Sequence, residues 1–544
     1  MGYLYSSGRE DSLAFGALVA TWLVFFVVLW LIFVVEPVVL PVWFYVPGVF
    51  FTLVFGLGLV ASKRSDFVWQ HTFDSMIRIP RWVWISSTAT ASTVLFISIA
   101  YPLVLEHVLW LGIFIGGIAY LSVVASRKSY FRQAIPWPLW IVITSVLALG
   151  VVVGLSIAVG PNAILSLIFF FALILFSFHV WVILPLTFYQ SRIERDDWRP
   201  STYPSVSVLI PAYNEEGYVG DCIESVLDST YPSAKTEIVV IDDGSTDGTL
   251  EEASAYREQG VRVFHRDNGG KHAALNFALQ CSTGDVVVTI DADSRPEPTA
   301  IEKMVGQLVS DSSIGGLSAT VLAENDRTVI EGLQRVEYAI SNTNRRAYSL
   351  FGAVPVVPGC LGVYRREALE DVWGYDPDTI TEDFDLTVKL LKNGWTVRHG
   401  TGLVWTIVPD GWKSLWRQRL RWYQGGFETL RKHKDVLRAP RHQFLHALSL
   451  PARLVSHLLG PIMSFVILFA VVLGFLTQPS VYLVSLVVLF FLLTGLTTLY
   501  SIIIEREPVR EVAYAPLLFI GYKHFVDCTI GVGTVRAFLG DRRW

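Results

Sequence analysis

Long apolar runs lie on both sides of a more polar central segment. About 20 apolar residues are enough for a helix to cross a bilayer, and six runs of that length precede residue 190. They are Leu13–Val35, Val38–Ala61, Val83–Leu105, His107–Ala125, Pro138–Val159 and Ala163–Tyr189. Two more, Val455–Leu476 and Val481–Ile504, follow the central segment. The pattern predicts an α-helical polytopic membrane protein with one soluble domain.

Basic residues are distributed unevenly between the predicted spans. Lys63 and Arg64 follow the second span, Arg127 and Lys128 the fourth, and Arg192 the sixth, whereas the intervening loops carry no Lys or Arg. Loops rich in Lys and Arg stay on the cytoplasmic side. The N-terminus and the central domain are therefore predicted to be cytoplasmic, in a multi-pass protein of the cell membrane.

Composition supports this division, since 52% of the residues are hydrophobic and only 17% are charged. We divide the chain into an extra N-terminal transmembrane module of about four helices (1–130), a transmembrane hairpin (131–192), a cytoplasmic domain (193–440) and a C-terminal transmembrane region (441–544). The segment Val512–Leu539 is apolar but carries Lys523, His524 and Asp527. Either a spanning helix lining a cavity or an interfacial helix is compatible with it. The net charge of −5 does not indicate nucleic-acid binding.

The central domain alternates strand and helix patterns. The predicted strands are Ser205–Ile210, Glu237–Ile241, Val261–His265 and Asp285–Ile290, and the helix Lys271–Gln280 precedes the last of them. This order predicts a parallel, Rossmann-like sheet. No GxGxxG follows the first strand, which disfavours a dinucleotide redox cofactor.

Two carboxylates, Asp291 and Asp293, follow the strand Asp285–Ile290. Ligands of open α/β sheets bind beyond the carboxyl ends of the strands. Hard oxygen ligands there suit Mg²⁺ or Mn²⁺ bridging a diphosphate. A solvated acidic turn is the alternative interpretation of these residues taken alone.

Further polar residues follow other predicted strands and begin helices. Asp242 and Asp243 end the second strand, where a carboxylate can accept the imide N–H of a uracil base or help to place a metal. Ser245 or Asp247 is a natural N-cap of the next helix. Lys271 begins a helix after two glycines, a position that favours phosphate.

The sequence Thr381-Glu-Asp-Phe-Asp385 begins another predicted helix, which ends near Asn393-Gly394. Asp383 is our candidate general base, taking the proton from an acceptor hydroxyl. Glu382 is either a site residue or only a partner of the helix dipole.

An amphipathic helix is predicted at about residues 411–432, from apolar residues spaced three and four apart. Gln418, Arg421 and Trp422 share a different face of that helix. The alternative is a basic helix lying on the membrane surface, and both descriptions can hold together.

Five motifs together resemble the processive membrane glycosyltransferases of family 2, the group of cellulose, chitin, hyaluronan and poly-N-acetylglucosamine synthases. The motifs are Pro211-Ala-Tyr-Asn-Glu215, Asp242-Asp-Gly-Ser245, Asp291-Ala-Asp293, Thr381-Glu-Asp383 and Gln418-Arg-Leu-Arg-Trp422. The sequence Trp416-Arg-Gln-Arg-Leu-Arg-Trp-Tyr-Gln-Gly-Gly426 is most similar to poly-β-1,6-N-acetylglucosamine synthases.

The resemblance implies a GT-A fold, a UDP-sugar donor, Mg²⁺ or Mn²⁺, and an inverting single displacement. It assigns roles that we list by group: donor binding by Tyr213, Glu215, Asp242, Asp243, Lys271 and Asp291; metal binding by Asp291 and Asp293; catalysis by Asp383; and acceptor binding by Gln418, Arg421 and Trp422. Gly359, Cys360 and Leu361 match an acceptor-side loop. Hyaluronan and chitin synthases usually carry Pro where this chain has Cys360, which disfavours those two assignments.

We therefore expect a processive β-glycosyltransferase that uses a UDP-sugar and passes an extracellular polysaccharide through its own helices. UDP-N-acetylglucosamine is the expected donor. One alternative is a non-processive enzyme that adds a single sugar to a lipid or polyprenyl phosphate, because a fold does not fix its acceptor. Another is a transporter or receptor whose soluble domain only binds nucleotide. Membrane lipids are expected partners. The module 1–130 lies outside the resemblance, and docking of an accessory membrane subunit is one role for it.

Overall fold

The computed structural model describes residues 179–194, 197–477, 479 and 481–541. The five predicted spans from Leu13–Val35 to Pro138–Val159 lie outside the described residues, as does most of Ala163–Tyr189. The end of that sixth span is helical: a π-helical turn, His179–Ile183, leads into α1 (Leu184–Ile193).

An eight-stranded sheet forms the centre of the described chain, in the order β3-β2-β1-β4-β7-β6-β8-β5. The strands are β1 (Val206–Ala212), β2 (Thr236–Asp242), β3 (Arg262–His265), β4 (Val286–Thr289), β5 (Ser294–Pro296), β6 (Ile314–Ala323), β7 (Gly362–Arg365) and β8 (Thr396–Thr406). The parallel arrangement predicted for the first four strands is confirmed. The sheet as a whole is mixed, since β7 pairs antiparallel with both β4 and β6.

Alternating side chains of the central strands pack on opposite faces of the sheet. Val208, Ile210 and Val288 belong to one buried cluster, whereas Leu209 and Val287 belong to the other. Both faces are therefore covered by helices, as the continuous apolar runs of these strands require.

The helices of the domain occupy both sides of this sheet. They are α2 (Val219–Leu227), α3 (Thr249–Ser254), α4 (Lys271–Gln280), α5 (Ala300–Val309), α6 (Val329–Ser349), α7 (Arg366–Asp371) and α8 (Glu382–Lys392). The predicted bounds of α4 are confirmed. The predicted cap of α3 is wrong: its N-cap is Gly248, and the hydroxyl of Ser245 instead accepts a hydrogen bond from the Asn214 N–H.

The C-terminal region is helical. Its helices are α9 (Trp412–Lys432), α10 (Leu450–Thr477), α11 (Val481–Ile504), α12 (Ala515–Leu517) and α13 (Lys523–Leu539). Among the described residues, α10 alone is long and apolar enough by composition to cross a membrane, and Phe490–Ile504 is a shorter apolar helical stretch. The ambiguous segment is not one continuous helix, because Ile520 is extended and Gly521 has a φ of 101° just before α13.

Helix α6 connects the sheet domain to the ends of α1 and α11. The Arg346 guanidinium binds Glu194, directly after α1, and Nε donates to Glu505 Oε1 at 2.8 Å, directly after α11. Arg346 and Glu505 are both buried. A buried guanidinium paired with two carboxylates fixes these two helix ends against the domain.

Candidate functional site

A narrow cleft opens beyond the carboxyl ends of β1 and β4. Its lining comes from the ends of β1 and β4, the residues after β4, β7 and the loop before it, the segment between α7 and α8, and the first turns of α4 and α8. The lining residues are Pro211, Lys271, Leu275, Thr289, Ile290, Asp291, Gly359, Tyr364, Tyr375, Glu382 and Asp383. Parallel strands β1 and β4 end at this edge, as in other open α/β sheets that bind ligands there. Segments distant in sequence thus meet at one site.

Lys271 connects two of these segments. Its Nζ lies 2.6 Å from Asp291 Oδ1 and 3.0 Å from Glu382 Oε1. Burial alone would lower the pKa of Lys271, but the charges of Asp291 and Glu382 raise it well above its ordinary value. The ammonium at the start of α4 is therefore held charged beside the cleft, where it suits a phosphate group.

Gly359 leaves the space that Lys271 and Asp291 occupy. A Cβ at this position would lie 2.5 Å from Lys271 Nζ and 2.8 Å from Asp291 Oδ2. The Gly359 carbonyl also accepts a hydrogen bond from the Asp291 N–H, at 3.2 Å. The predicted loop therefore contributes to the site through Gly359, whereas Leu361 is fully buried in the core and does not line the cleft.

The carboxyl group of Asp293 lies close enough to Asp291 for each to affect the other. Burial, followed by the charge of Asp291, raises the pKa of Asp293 to about 6. Ser294 Oγ donates to Asp293 Oδ1 at 3.0 Å, and Thr406 Oγ1 donates to the same oxygen at 3.4 Å. Burial also raises the pKa of the nearby Cys360 thiol to about 12. Two hard oxygen ligands that repel each other fit a divalent cation, whose charge would relieve the repulsion.

Asp383 lies in the first turn of α8, next to Glu382. Its Oδ1 accepts a hydrogen bond from the Phe384 N–H at 2.7 Å. Burial, followed by the charge of Glu382, raises the pKa of Asp383 to about 6. A carboxylate with a pKa near 6 is a stronger proton acceptor than an ordinary aspartate and is still ionised at neutral pH.

The loop after β1 contributes a further acidic group, Glu215. Burial, followed by the charges of Asp293 and Asp291, raises the pKa of Glu215 to about 7. Arg421 of α9 acts on the same carboxyl in the opposite direction. Glu215 is thus electrostatically coupled to the Asp291-Ala-Asp293 turn, whereas the Tyr213 side chain is 48% exposed.

Asp242 and Asp243 are both buried and bound by neighbouring loops. Asp242 Oδ2 lies 2.5 Å from His265 Nδ1. Asp243 Oδ2 accepts the N–H of Gly270 at 2.7 Å. These carboxylates position the loop that leads into α4, and neither lines the Lys271 cleft.

Helix α9 packs directly against the start of α8. A Cβ on Gly425 would lie 2.8 Å from the backbone nitrogen of Thr381, so that only glycine permits this approach. On α9, Gln418 and Trp422 are half-buried and Arg421 is exposed. The opposite side of α9 contacts α13, where Trp412 and Phe525 have ring centroids 4.9 Å apart.

A second acidic cluster lies at the first turn of α8 and in the loop that precedes this helix. Carboxylate oxygens of Asp376, Asp378 and Asp385 lie within 4.8 Å of one another. Lys432 Nζ contacts all three, at 2.7, 2.7 and 2.9 Å, and His433 Nε2 lies 2.8 Å from Asp385. The ammonium supplies the positive charge here, and the cluster ties the end of α9 to α8. No local sequence pattern predicts that these three carboxylates lie together.

Known proteins resemble this domain in sequence and in fold. A family model described as "Glycosyl transferase family 2" matches residues 207–373. A poly-beta-1,6-N-acetyl-D-glucosamine synthase of Staphylococcus aureus is 30% identical over 260 residues, which are 46% of this chain and 63% of that protein. The Staphylococcus epidermidis protein of the same name is 32% identical over 229 residues, 41% of this chain and 55% of its own length.

One solved structure shares the fold at a TM-score of 0.50. It is a mannosyltransferase, PcManGT from Pyrobaculum calidifontis, in complex with GDP-Man and Mn²⁺, and it is 22% identical. The match covers 69% of this chain and 100% of that one. The likeness establishes a GT-A-like mixed-sheet domain followed by a helical C-terminal region.

Proposed function

We propose, from the premise that this chain carries a family 2 glycosyltransferase domain, that the protein is an inverting, processive β-glycosyltransferase of the cell membrane. Its donor is UDP-N-acetylglucosamine and its product an extracellular polysaccharide. The similarity to two poly-beta-1,6-N-acetyl-D-glucosamine synthases supports the donor and product class.

The observation that carries the proposal is the half-buried Asp383 in a cleft that Lys271 and Asp291 also line. Asp383 accepts the proton of the acceptor hydroxyl as its oxygen attacks the anomeric carbon. A single displacement by this oxygen inverts the configuration at that carbon. The diphosphate leaves from the opposite side of the anomeric carbon and is bound by the Lys271 ammonium. The proton acceptor and the leaving group are therefore held by different residues.

Asp291 and Asp293 are the residues that would hold Mg²⁺ or Mn²⁺. When bound, the cation supplies positive charge to the diphosphate as the glycosidic bond to it breaks. The charges of both aspartates act on the carboxyl group of Glu215, in the loop after β1. Tyr213, Asp242 and Asp243 belong to the donor side of this site, the two aspartates by shaping its loops.

Gln418, Arg421 and Trp422 form the acceptor side. Gly425 of their helix α9 packs against Thr381, the N-cap residue of α8, which precedes Asp383 by two residues. A flat indole face packs well against a sugar ring. The apolar α10 and the runs on either side of the domain support a multi-pass membrane protein with a cytoplasmic catalytic domain that passes its polymer outward.

The decisive experiment uses the full chain in lipid nanodiscs with Mn²⁺ or Mg²⁺ and a panel of labelled UDP-sugars. We expect one UDP-sugar to give a high-molecular-weight polymer. Asp383→Asn should lose transfer by about 10³-fold or more, because the general base is gone, while UDP binding by calorimetry is retained. Glu367→Gln is the matched control, since it changes an exposed acidic residue in the first turn of α7.

Three outcomes would contradict the proposal in different ways. A single-sugar product that partitions into organic solvent would replace the polymer by a lipid or polyprenyl-phosphate acceptor. Full transfer activity in Asp383→Asn would remove this residue from catalysis. Nucleotide binding with no transfer by the unmodified chain from any UDP-sugar would favour a transporter or receptor.

A further inference from the structure

Arg419 is the buried charged residue of the motif Gln418–Trp422. Its side chain is 0% exposed, whereas Arg421, two residues further along α9, is exposed. Arg419 Nη1 donates a hydrogen bond to Gln418 Oε1. Its Cζ lies 4.1 Å from the centroid of the Trp422 ring. One guanidinium therefore contacts two of the three side chains that we assign to the acceptor.

The other side of the same guanidinium is anchored by two further elements. Arg419 Nη2 donates to Glu337 Oε2 of α6 at 2.6 Å. The hydroxyl of Tyr522, directly before α13, donates to that same oxygen at 2.5 Å. Gln334 Oε1 lies 3.4 Å from Arg419 Nη2. Residues of α6 and of the segment before α13 thus fix a side chain of α9.

The geometry of a guanidinium explains why this position carries arginine. Its planar fork offers several N–H donors in fixed directions and a flat face that stacks on an aromatic ring. A lysine could pair with Glu337, but a single ammonium on a flexible stem cannot also hold the Gln418 amide and cover the Trp422 ring.

We propose that Arg419 is a positioning residue for the acceptor, acting through Gln418 and Trp422, and that Glu337 and Tyr522 hold it in place. This inference rests on the proposed function. The network orients the side chains of Gln418 and Trp422 before the acceptor sugar binds, so that binding does not have to order them. Arg419 itself touches neither donor nor acceptor.

A purely structural ion pair is the rival explanation, and a double substitution separates the two. Removing one partner of a buried pair leaves an uncompensated charge, whereas replacing both by apolar residues is often neutral for stability. The double variant Arg419→Met/Glu337→Met should therefore fold, yet lack the contacts to Gln418 and Trp422. Arg419→Lys is the second variant, which keeps the buried charge pair. Arg417→Met, at the exposed neighbouring arginine, is the control.

The measurements are the melting temperature, the rate of UDP release from UDP-N-acetylglucosamine without acceptor, and extension of an N-acetylglucosamine pentasaccharide. For both Arg419 variants we expect KM for the pentasaccharide to rise by about tenfold or more, with KM for the donor and acceptor-free UDP release changed by less than about twofold. Arg417→Met should match the unmodified chain.

Three results would overturn the positioning role. One is a double variant that both melts at the temperature of the unmodified chain and extends the pentasaccharide as well as that chain does. Another is an equal rise in KM for the pentasaccharide and in KM for the donor. Unchanged pentasaccharide KM in Arg419→Lys would also exclude it. Failure of the unmodified chain to release UDP from any UDP-sugar refutes the proposed function instead, and the acceptor role of Gln418 with it.

Discussion

Gly425 and Gly426 are adjacent on α9 but have opposite surroundings. A Cβ on Gly425 would lie 2.7 Å from Thr381 Cγ2 and 2.8 Å from Thr381 N, whereas a Cβ on Gly426 would meet nothing within 4 Å. Thr381 is the N-cap residue of α8, and Asp383 lies in the first turn of that helix. The pair Gly425→Ala and Gly426→Ala therefore tests whether the spacing of α8 and α9 matters.

The size of the effect follows from this geometry. Ordinary contact with a Cβ begins at 3.4 Å, so α9 must retreat from the Thr381 backbone by about 0.6 Å in Gly425→Ala. Alanine stabilises a helix interior by about 1 kcal/mol over glycine in either variant. Overpacking costs about 1–3 kcal/mol, and only Gly425→Ala suffers it. A displacement of this order lowers transfer by about tenfold to 100-fold, because base and acceptor no longer align.

The assay compares pentasaccharide extension and thermal unfolding for the two variants in nanodiscs. Gly426→Ala should keep its rate and melt at the same or a higher temperature, whereas Gly425→Ala should lose rate without unfolding. Equal rates in the two variants would refute the idea that contact between α8 and α9 sets the distance from Asp383 to the acceptor.

Two further predictions concern the cleft. Gly359→Ala should force Lys271 away from its carboxylate partners and raise KM for UDP-N-acetylglucosamine by about tenfold or more; donor titrations would show this, and an unchanged KM would contradict it. Acceptor-dependent kcat/KM should fall as the pH drops through about 6, because the pKa of Asp383 is raised to about 6 and only its ionised form accepts the proton. Since the charge of Glu382 raises the pKa of Asp383, Glu382→Gln should shift this fall in kcat/KM to lower pH. A fall that stays at the same pH would exclude Asp383 as its origin.

The first half of the sheet was predictable because its signals are local. β1, β2 and β4 are short, apolar and β-branched, and Gly270, with a φ of 86°, marks the start of α4. The second half carries no such signal. β7 has four residues and β8 contains two glycines and a histidine, and their positions depend on pairing with strands far away in sequence.

The candidate site was predictable by residue type but not by contact. Sequence identified Asp291, Asp383 and Lys271 as chemistry-bearing residues, yet it left Glu382 as either a dipole partner or a site residue. The 3.0 Å contact between Lys271 and Glu382 joins segments more than 100 residues apart, which no local pattern reveals. Buried Arg419 was missed for the same reason, because its partners Glu337 and Tyr522 lie on other elements.

The double ion pair of Arg346 makes the catalytic domain dependent on its flanking helices. Along α6, Arg346 lies about 13 Å from Glu337 at 1.5 Å per residue, so one rigid helix carries both the attachment to α1 and α11 and the anchor of Arg419. A soluble fragment cut at residues 197 and 440 would lose Glu194 and Glu505, leaving Arg346 without those two carboxylates. Such a fragment would be a poor substitute for the whole chain: the residues that follow α1 and α11 act here as part of the scaffold that holds α6 in place.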